Sequence, residues 1–421
     1  MSSTESEVDG TEKLESKTVP TLQFPADPLN HLSAAQIEEI YLRYLDGEKT
    51  SDLIKEFEIK TNLNSLLKLL PHIEHKDLIC PYCEATATQR RAAKNSPAPQ
   101  PACTGCKHVY ASRDDYCSCA GCSHAYIREL NGVGMHRRVP YAELTIREKI
   151  ILLSALTLAN EWDTTSFSVA QIQWWDPKLA PTREYHDQCI NELFQRGIVI
   201  VSDDTHPQHL DFHRKYQRLD YVSWKPNVSL EKDSTQPLDI AQMQLVLCED
   251  FRNKKEDLAS VMIEMMYEIA IEELMEHLLD KVSKTRLVFK ALPSARATLR
   301  SLLPSKSISD IFGFIWKAVK QAEDALGSKT LKGAPHAGNL IPSKITQAAD
   351  YFESCPSTYK HKDYFRMKHL GICQLSKVIY GLILDDHDGA FKMPLPRYID
   401  EVMRPALEGI VSAKAAKALR W

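Results

Sequence analysis

The chain has 421 residues, 43% of them hydrophobic, with 52 basic and 56 acidic side chains and a net charge of −4. That is enough chain for about two to four domains with ordinary cores. It excludes a uniformly basic coat for nucleic acid, and the longest apolar runs, such as 150–158, are too short to span a bilayer. The opening residues, MSSTESEVDG, lack the basic and apolar regions of an export signal, so a soluble cytoplasmic protein with no membrane contact is expected. Residues 1–30, polar and acidic with Pro20, Pro25 and Pro28, are expected to form a disordered tail.

Periodicity begins in residues 31–75. Ser33 with Gln36 makes a capping box for a helix that buries Ile37, Ile40, Tyr41 and Tyr44 and ends at Gly47. Thr50 or Ser51 caps a second helix, with Leu53, Ile54 and Phe57 inward. A third places Leu63, Leu66, Leu67 and Leu70 inward and stops at Pro71. The phrasing DGEKTSDLIKEFEI resembles the helix-turn-helix of bacterial regulators and transposase-like proteins. The resemblance implies a third, reading helix that offers Asn62, Asn64, Ser65 and Lys68 to DNA. The segment is net acidic, whereas a DNA reader brings cations to phosphates, so a plain three-helix packing module is the competing reading.

Residues 76–138 hold seven of the eleven cysteines, as Cys80-x-x-Cys83, Cys103-x-x-Cys106 and Cys117-x-Cys119-x-x-Cys122. A CxxC knuckle aims two thiolates at one ion, and zinc takes four such ligands in a tetrahedron. Two Zn2+ ions are expected: one on Cys80, Cys83, Cys103 and Cys106, the other on Cys117, Cys119 and Cys122, closed by His108 or else by His124. Spacing alone also permits the first cluster to pair with the third. The stretch from Thr86 to Ala102 has no apolar periodicity, so metal binding would supply its folding energy. Disulfides and free thiols are the alternatives, and a cytosolic chain disfavours the former. Arg90, Arg91 and Lys94 on the loop between ligand pairs, followed by Lys107 and Arg113, suit phosphate contact. They equally suit a solvated surface.

In residues 139–235, ELTIREKIILLSALTLANEW reads as a helix capped near Thr145. SVAQIQWWDP reads as a helical turn, and Thr182 opens a helix that Gly197 ends. IVIVS and YVSW read as strands around the loop DDTHPQHLDF. That order resembles a winged helix, with an acidic wing suited to protein contact. Trp174, Trp175 and Trp224 read as core. Residues 236–421 form a helical C-terminal domain. It has a long Met-rich helix over 253–282 with its acids outward, a basic helix over 285–303, and a helix burying Ile308, Ile311, Phe312, Ile315, Trp316 and Val319. The other four cysteines, Cys189, Cys248, Cys355 and Cys373, stand singly and read as small core residues or inert thiols.

Charge is segregated along the chain. Residues 141–279 carry 13 basic against 24 acidic side chains, and residues 280–370 carry 16 against 7. Either the basic block meets a polyanion, or it meets the acidic segment of its own chain.

The strings SISDIFGFIWKAVKQAEDAL, HAGNLIPSKITQAADYF and CQLSKVIYGLILDDHDGAF, together with the helix-turn-helix and the CPYC…C..C.H…C.C..C run, resemble an uncharacterised bacterial family. That resemblance brings no activity, and its spacing favours His108 over His124. His336 and the Asp385-Asp386-His387-Asp388 run are the polar groups that suggest catalysis, but DDHDG is also a helix-ending turn. No nucleotide or hydrolase motif is present.

The sequence therefore points to a mainly α, multidomain protein: helix-turn-helix, small zinc ribbon, winged-helix-like unit and helical C-terminal domain. The expected function is non-enzymatic binding of nucleic acid, DNA first, as a regulator or a component of a bacterial defence or mobile-element system. The alternative is an interaction adaptor that docks a protein through acidic residues 141–279, with zinc purely structural.

Overall fold

The computed structural model describes residues 28–110, 117, 119–132, 137–159, 165–170, 177–210, 221–230, 239–252, 258–328, 333–354 and 366–409. The expected tail before residue 28, Arg113, Trp174, Trp175 and Cys355 lie outside them. The fold is mainly helical, with few and short strands. The chain divides into two compact units, 1–117 and 118–421.

In the first unit α1 (Ala34–Asp46), α2 (Thr50–Glu56) and α3 (Leu66–Leu69) share one core. Leu29, Ile40, Tyr41, Leu53, Ile59, Leu66 and Leu70 are buried there. The Ser33–Gln36 capping box forms, and α1 ends at Gly47 with φ 104°, which a residue with a Cβ rarely adopts. The third helix is a single turn. Leu63, expected inside, is 58% exposed, because the chain at Asn62–Ser65 is a turn that carries it off the helical face.

A three-stranded antiparallel sheet follows: β1 (Ile73–Ile79), β2 (Thr86–Gln89) and β3 (Ala102–Cys103), in that order. It has almost no core of its own. Among its strands and first knuckle only Ala87, Cys80 and Cys103 are buried. The loop after β2 docks on the helices. Arg91 lies 4.6 Å over the Tyr41 ring, donates to Glu38 at 2.6 Å and to the Pro71 carbonyl at 3.0 Å. Tyr41 Oη donates to the Ala92 carbonyl at 3.3 Å. The Lys94 ammonium sits so close to Gly47 that a Cβ there would meet it at 2.3 Å. It thus lies by the carbonyl end of α1, where a cation is favoured.

The second unit contains α4 (Ala120–Asn131), β4 (Val139–Pro140), α5 (Ile146–Leu156), β5 (Phe167–Ser168), α6 (Arg183–Gln195), β6 (Val199–Val201), β7 (Ser223–Pro226) and β8 (Val228–Ser229). Helices α7 (Ile240–Arg252), α8 (Leu258–Ser283), α9 (Leu292–Leu302), α10 (Ile308–Gly327), α11 (Ala334–Asn339) and α12 (Ile341–Ser354) complete most of it. Gln374–Ser376 then runs into a π-helical stretch, Lys377–Ile383. Strands β5, β7 and β6 form one antiparallel sheet in that order, and β4 pairs in parallel with β8. Ser168, placed by sequence in a helical turn, is in β5, paired with Ser223. Thr145 with Glu148 caps α5, Thr182 caps α6, and Gly197 takes φ 70° after α6.

Helix α8 is the axis of this unit and packs against α5, α9 and α10. Met262, Met265, Met266 and Met275 are fully buried, so the methionine stripe is core. Glu264 is exposed as the sequence suggests, but the five later acids of α8 face partners within the unit. Glu268 receives Arg147 and Tyr185 Oη, each at 2.7 Å. Glu272 receives Arg296 at 2.7 Å and the Thr182 hydroxyl. Glu273 pairs with Arg366 and Glu276 with Lys178, while Asp280 takes Lys284 at 2.7 Å and His369 at 2.9 Å. Trp224 is buried as expected. Trp316 is 45% exposed, with Lys320 over its ring at 5.4 Å. Ile308, Ile311, Ile315, Ala318 and Ala322 already fill the inner stripe of α10. Burial pushes the Cys189 and Cys373 thiols up, which keeps them protonated and inert.

Burial acts in opposite directions on two neighbours in α8. It raises Glu276 to about 7, against the pull of Lys178 and aided by Glu273 and Asp280. It lowers His277 to about 3; the ring stacks on Phe312 at 3.7 Å, with neither nitrogen hydrogen-bonded. Glu276 lies above its ordinary 4.5, so its contribution is full below that value and lost as pH rises through about 7. His277 lies below its ordinary 6.5, so its contribution is full above that value and lost as pH falls towards about 3. The two offset on the acid side. His277→Phe is expected to leave a stability that falls steadily from about pH 5 to about pH 8, and Glu276→Gln one that falls only towards acid. Denaturant midpoints across that range check this; identical profiles in the wild type and both variants would contradict it.

Candidate metal centre

The two knuckles of the first group are built alike. Cys80 N–H donates to the Ala85 carbonyl at 2.9 Å, and Cys103 N–H to the His108 carbonyl at 2.7 Å. In each, the residue after the second cysteine turns left-handed: Glu84 at φ 58° and Lys107 at φ 63°. Backbone N–H groups point back at sulfur, from Tyr82 to Cys80 at 3.5 Å and from Gly105 to Cys103 at 3.3 Å. A Cβ on Gly105 would stand 3.0 Å from Cys83 Sγ, so a side chain there would crowd the sulfur. Spacing in the sequence reveals the cysteines; nothing in it reveals the two left-handed residues.

The four sulfurs of Cys80, Cys83, Cys103 and Cys106 lie within 4.8 Å of one another. Cys80 to Cys106 is 3.4 Å and Cys83 to Cys103 is 3.3 Å. A disulfide requires about 2.0 Å, so these are not bonded pairs. Zinc–sulfur bonds of about 2.3 Å in a tetrahedron set sulfurs about 3.8 Å apart, close to what is seen. The Ala85 backbone N–H and then the Cys103 side chain hold Cys83 below the usual thiol value. Cys106 is relieved by the His108 N–H, yet burial and the neighbouring sulfurs push it up to about 12. A divalent cation would reverse that repulsion at Cys106.

The second group is His108, Cys117, Cys119 and Cys122, whose ligand atoms also lie within 4.8 Å of one another. Val109 N–H donates to Cys117 Sγ at 3.2 Å. Cys119 is the N-cap of α4 and accepts from Cys122 N–H at 3.4 Å. The His108 ring is set edge-on between Tyr82 at 5.2 Å and Tyr110 at 4.9 Å. Each group can hold one metal ion. The geometry joins the first cysteine cluster to the second and brings in His108, leaving His124 outside either group. Each set has four ligands and reserves no position for substrate, the pattern of structural sites.

The cations and amides expected to touch nucleic acid divide into two kinds. Asn62, Asn64, Lys68, Arg90 and Lys107 are exposed and Ser65 is half-buried. Among the described residues Arg90 and Lys68 make no ion pair, and Lys107 Nζ donates to the Thr104 carbonyl at 3.2 Å. Arg91 and Lys94, by contrast, are tied to the helices as described above. Asn62, Asn64 and Ser65 precede the α3 turn, and only Lys68 lies on it.

The acidic run near the C-terminus is a turn. Asp385 takes φ 53° and Gly389 φ 59°. Asp386 accepts from Tyr398 Oη at 2.7 Å and from Asp388 N–H at 3.1 Å. His336 is exposed on the short α11.

No protein family, curated protein or solved structure matches the chain. The likeness to a bacterial family rests on the quoted strings alone. Among the described residues no helix is long and apolar enough to cross a membrane.

Proposed function

We propose that the protein is a non-enzymatic, zinc-braced nucleic-acid-binding protein, with DNA the first target, acting as a regulator or a component of a bacterial defence or mobile-element system. The observation that carries this reading is the exposure of Arg90 and Lys107, free of acid partners among the described residues, on a sheet closed by two cysteine knuckles. Strands β1–β3 with those knuckles have the form of a zinc ribbon. A donor set of four thiolates, and one of three thiolates with an imidazole, suit Zn2+ above harder cations. The amides of Asn62 and Asn64 and the ammonium of Lys68 extend the polar surface of the same unit. The strand order β5–β7–β6 beside α5 and α6 supports the winged-helix reading of the second unit. Helix α6 is a poor reading helix, because Glu184 and Tyr185 are bound to Arg296 and Glu268. The contact is therefore assigned to the first unit.

The adaptor reading keeps a specific support. Arg296 and Arg366 of the basic block pair with Glu272 and Glu273 of the acidic segment, so part of the charge segregation is satisfied within the chain. Gel shifts with duplex and single-stranded oligonucleotides separate the two. Affinity is expected to fall about tenfold or more between about 50 and 200 mM salt. It should weaken in the Arg90→Ala, Lys107→Ala double variant. Arg91→Ala is expected instead to lower the stability of the first unit by about 1–3 kcal/mol, since it strips a charged partner from Glu38 and the Tyr41 ring. Absent or salt-insensitive binding removes the nucleic-acid reading and leaves the adaptor.

A further inference from the structure

A cleft of about 620 Å³ opens in the second unit between the end of α4, the strand β4 and the last turn of α6. Arg137, Arg138 and Arg196 line it. Arg196 Nε is held by Glu148 Oε1 at 2.9 Å, and Glu143 stands at the wall. The three guanidinium groups therefore outnumber the two carboxylates by one. The surplus lies with Arg137 and Arg138, neither of which has an acid partner among the described residues. Arg138 Nη1 is buried with no acceptor among the described residues. A buried guanidinium nitrogen left unpaired is costly, and an anion in the cleft would satisfy it.

The rest of the wall suits more than a bare anion. Asn191 and Gln195 are four residues apart on α6 and so share a face. Both amides line the cleft, with no hydrogen-bond partner among the described residues. Phe194, Val139 and Ile200 supply apolar wall beside them. Asn131 also lines the cleft, but its amide is spent on both backbone groups of Val201, at 2.9 and 2.8 Å. The carbonyl end of α6 disfavours an anion, a weaker effect than one charge-assisted pair with arginine. The size is that of a pocket for a small molecule.

We propose that this cleft binds a mononucleotide, its phosphate on Arg137 and Arg138 and its base against Phe194, read by the amides of Asn191 and Gln195. The inference stands apart from the nucleic-acid reading, since it uses no residue of the first unit. Phe194 packs edge-on to the buried Trp224 at 5.4 Å, so tryptophan emission offers a reporter beside calorimetry.

The test titrates the full chain with each of the four ribonucleoside monophosphates, the matching nucleosides and inorganic phosphate. At least one monophosphate is expected to bind with a Kd of about 1 mM or tighter. Its nucleoside and inorganic phosphate should each bind at least about tenfold more weakly. Arg137→Gln with Arg138→Gln is expected to weaken the nucleotide about tenfold or more without lowering the thermal unfolding midpoint. Asn191→Ala with Gln195→Ala, which leaves both arginines, should weaken the nucleotide and not inorganic phosphate. Failure of all four monophosphates overturns the proposal. So does binding that survives either double variant, or inorganic phosphate that binds as tightly as the nucleotide.

Discussion

Stripping the metal from the purified protein is expected to unfold β1–β3 and both knuckles while the core around α8 stays intact. The reason lies in what the sheet buries. Ala87, Cys80 and Cys103 are its interior, and the residues on β1 are exposed or half-buried. Ordering each residue costs about 1–2 kcal/mol, and one alanine with a few sulfurs cannot offset that over residues 73–110. Structural zinc contributes an apparent ~10–16 kcal/mol at pH 7, the scale required. Hydrogen exchange after chelation should show rapid loss of protection at Cys80, Glu84 and Cys103, whose N–H groups close the knuckles. Elemental analysis should find two zinc ions per chain, and Cys103→Ser should lose one of them. The helices α1 and α2 keep a core of their own, so they should soften less than the sheet. Protected knuckle amides in metal-free protein would refute the assignment of folding energy to the metal.

The metal centre was legible because its signal is local. A CxxC pair places two thiols by covalent spacing, and little else in a loop can do so. The helix caps at Ser33, Thr145 and Thr182 were legible for the same reason, and so were the ends at Gly47 and Gly197. What escaped depends on partners far along the chain. The two residues of β5 carry no alternation long enough to register, and they become a strand only because Trp224 and Ser223 lie opposite. Leu63 fits a helical stripe on paper, yet the turn at Asn62–Ser65 removes it from that face. Arg91 looks like a loop arginine until Tyr41 and Glu38, about fifty positions earlier, are brought beneath it. The cleft beside α6 gave no signal, since its arginines and amides come from three separate segments.

Glu272→Ala is expected to cost the second unit about 1–3 kcal/mol, well above what a surface ion pair contributes. The carboxylate is nearly buried, at 7% exposure, between the Thr182 hydroxyl and Arg296, and Arg296 also holds Glu184 at 2.6 Å. Truncation leaves the buried Thr182 hydroxyl without its acceptor and takes from Arg296 one of its two carboxylates, Glu184 remaining at 2.6 Å. The exposed Arg397–Glu401 pair, one turn apart on a helix, supplies the contrast. Glu401→Ala should cost about 0.5 kcal/mol or less. Denaturation of the two variants followed by tryptophan emission compares them directly, and a double-mutant cycle with Arg296→Ala isolates the coupling. Equal losses in Glu272→Ala and Glu401→Ala would mean that water screens the α8 network as it screens the surface. The same cycle bears on function. A cation already committed to Glu272 is unavailable to a phosphate, so Arg296→Ala should lower stability and leave nucleic-acid affinity unchanged. Arg90→Ala should do the reverse.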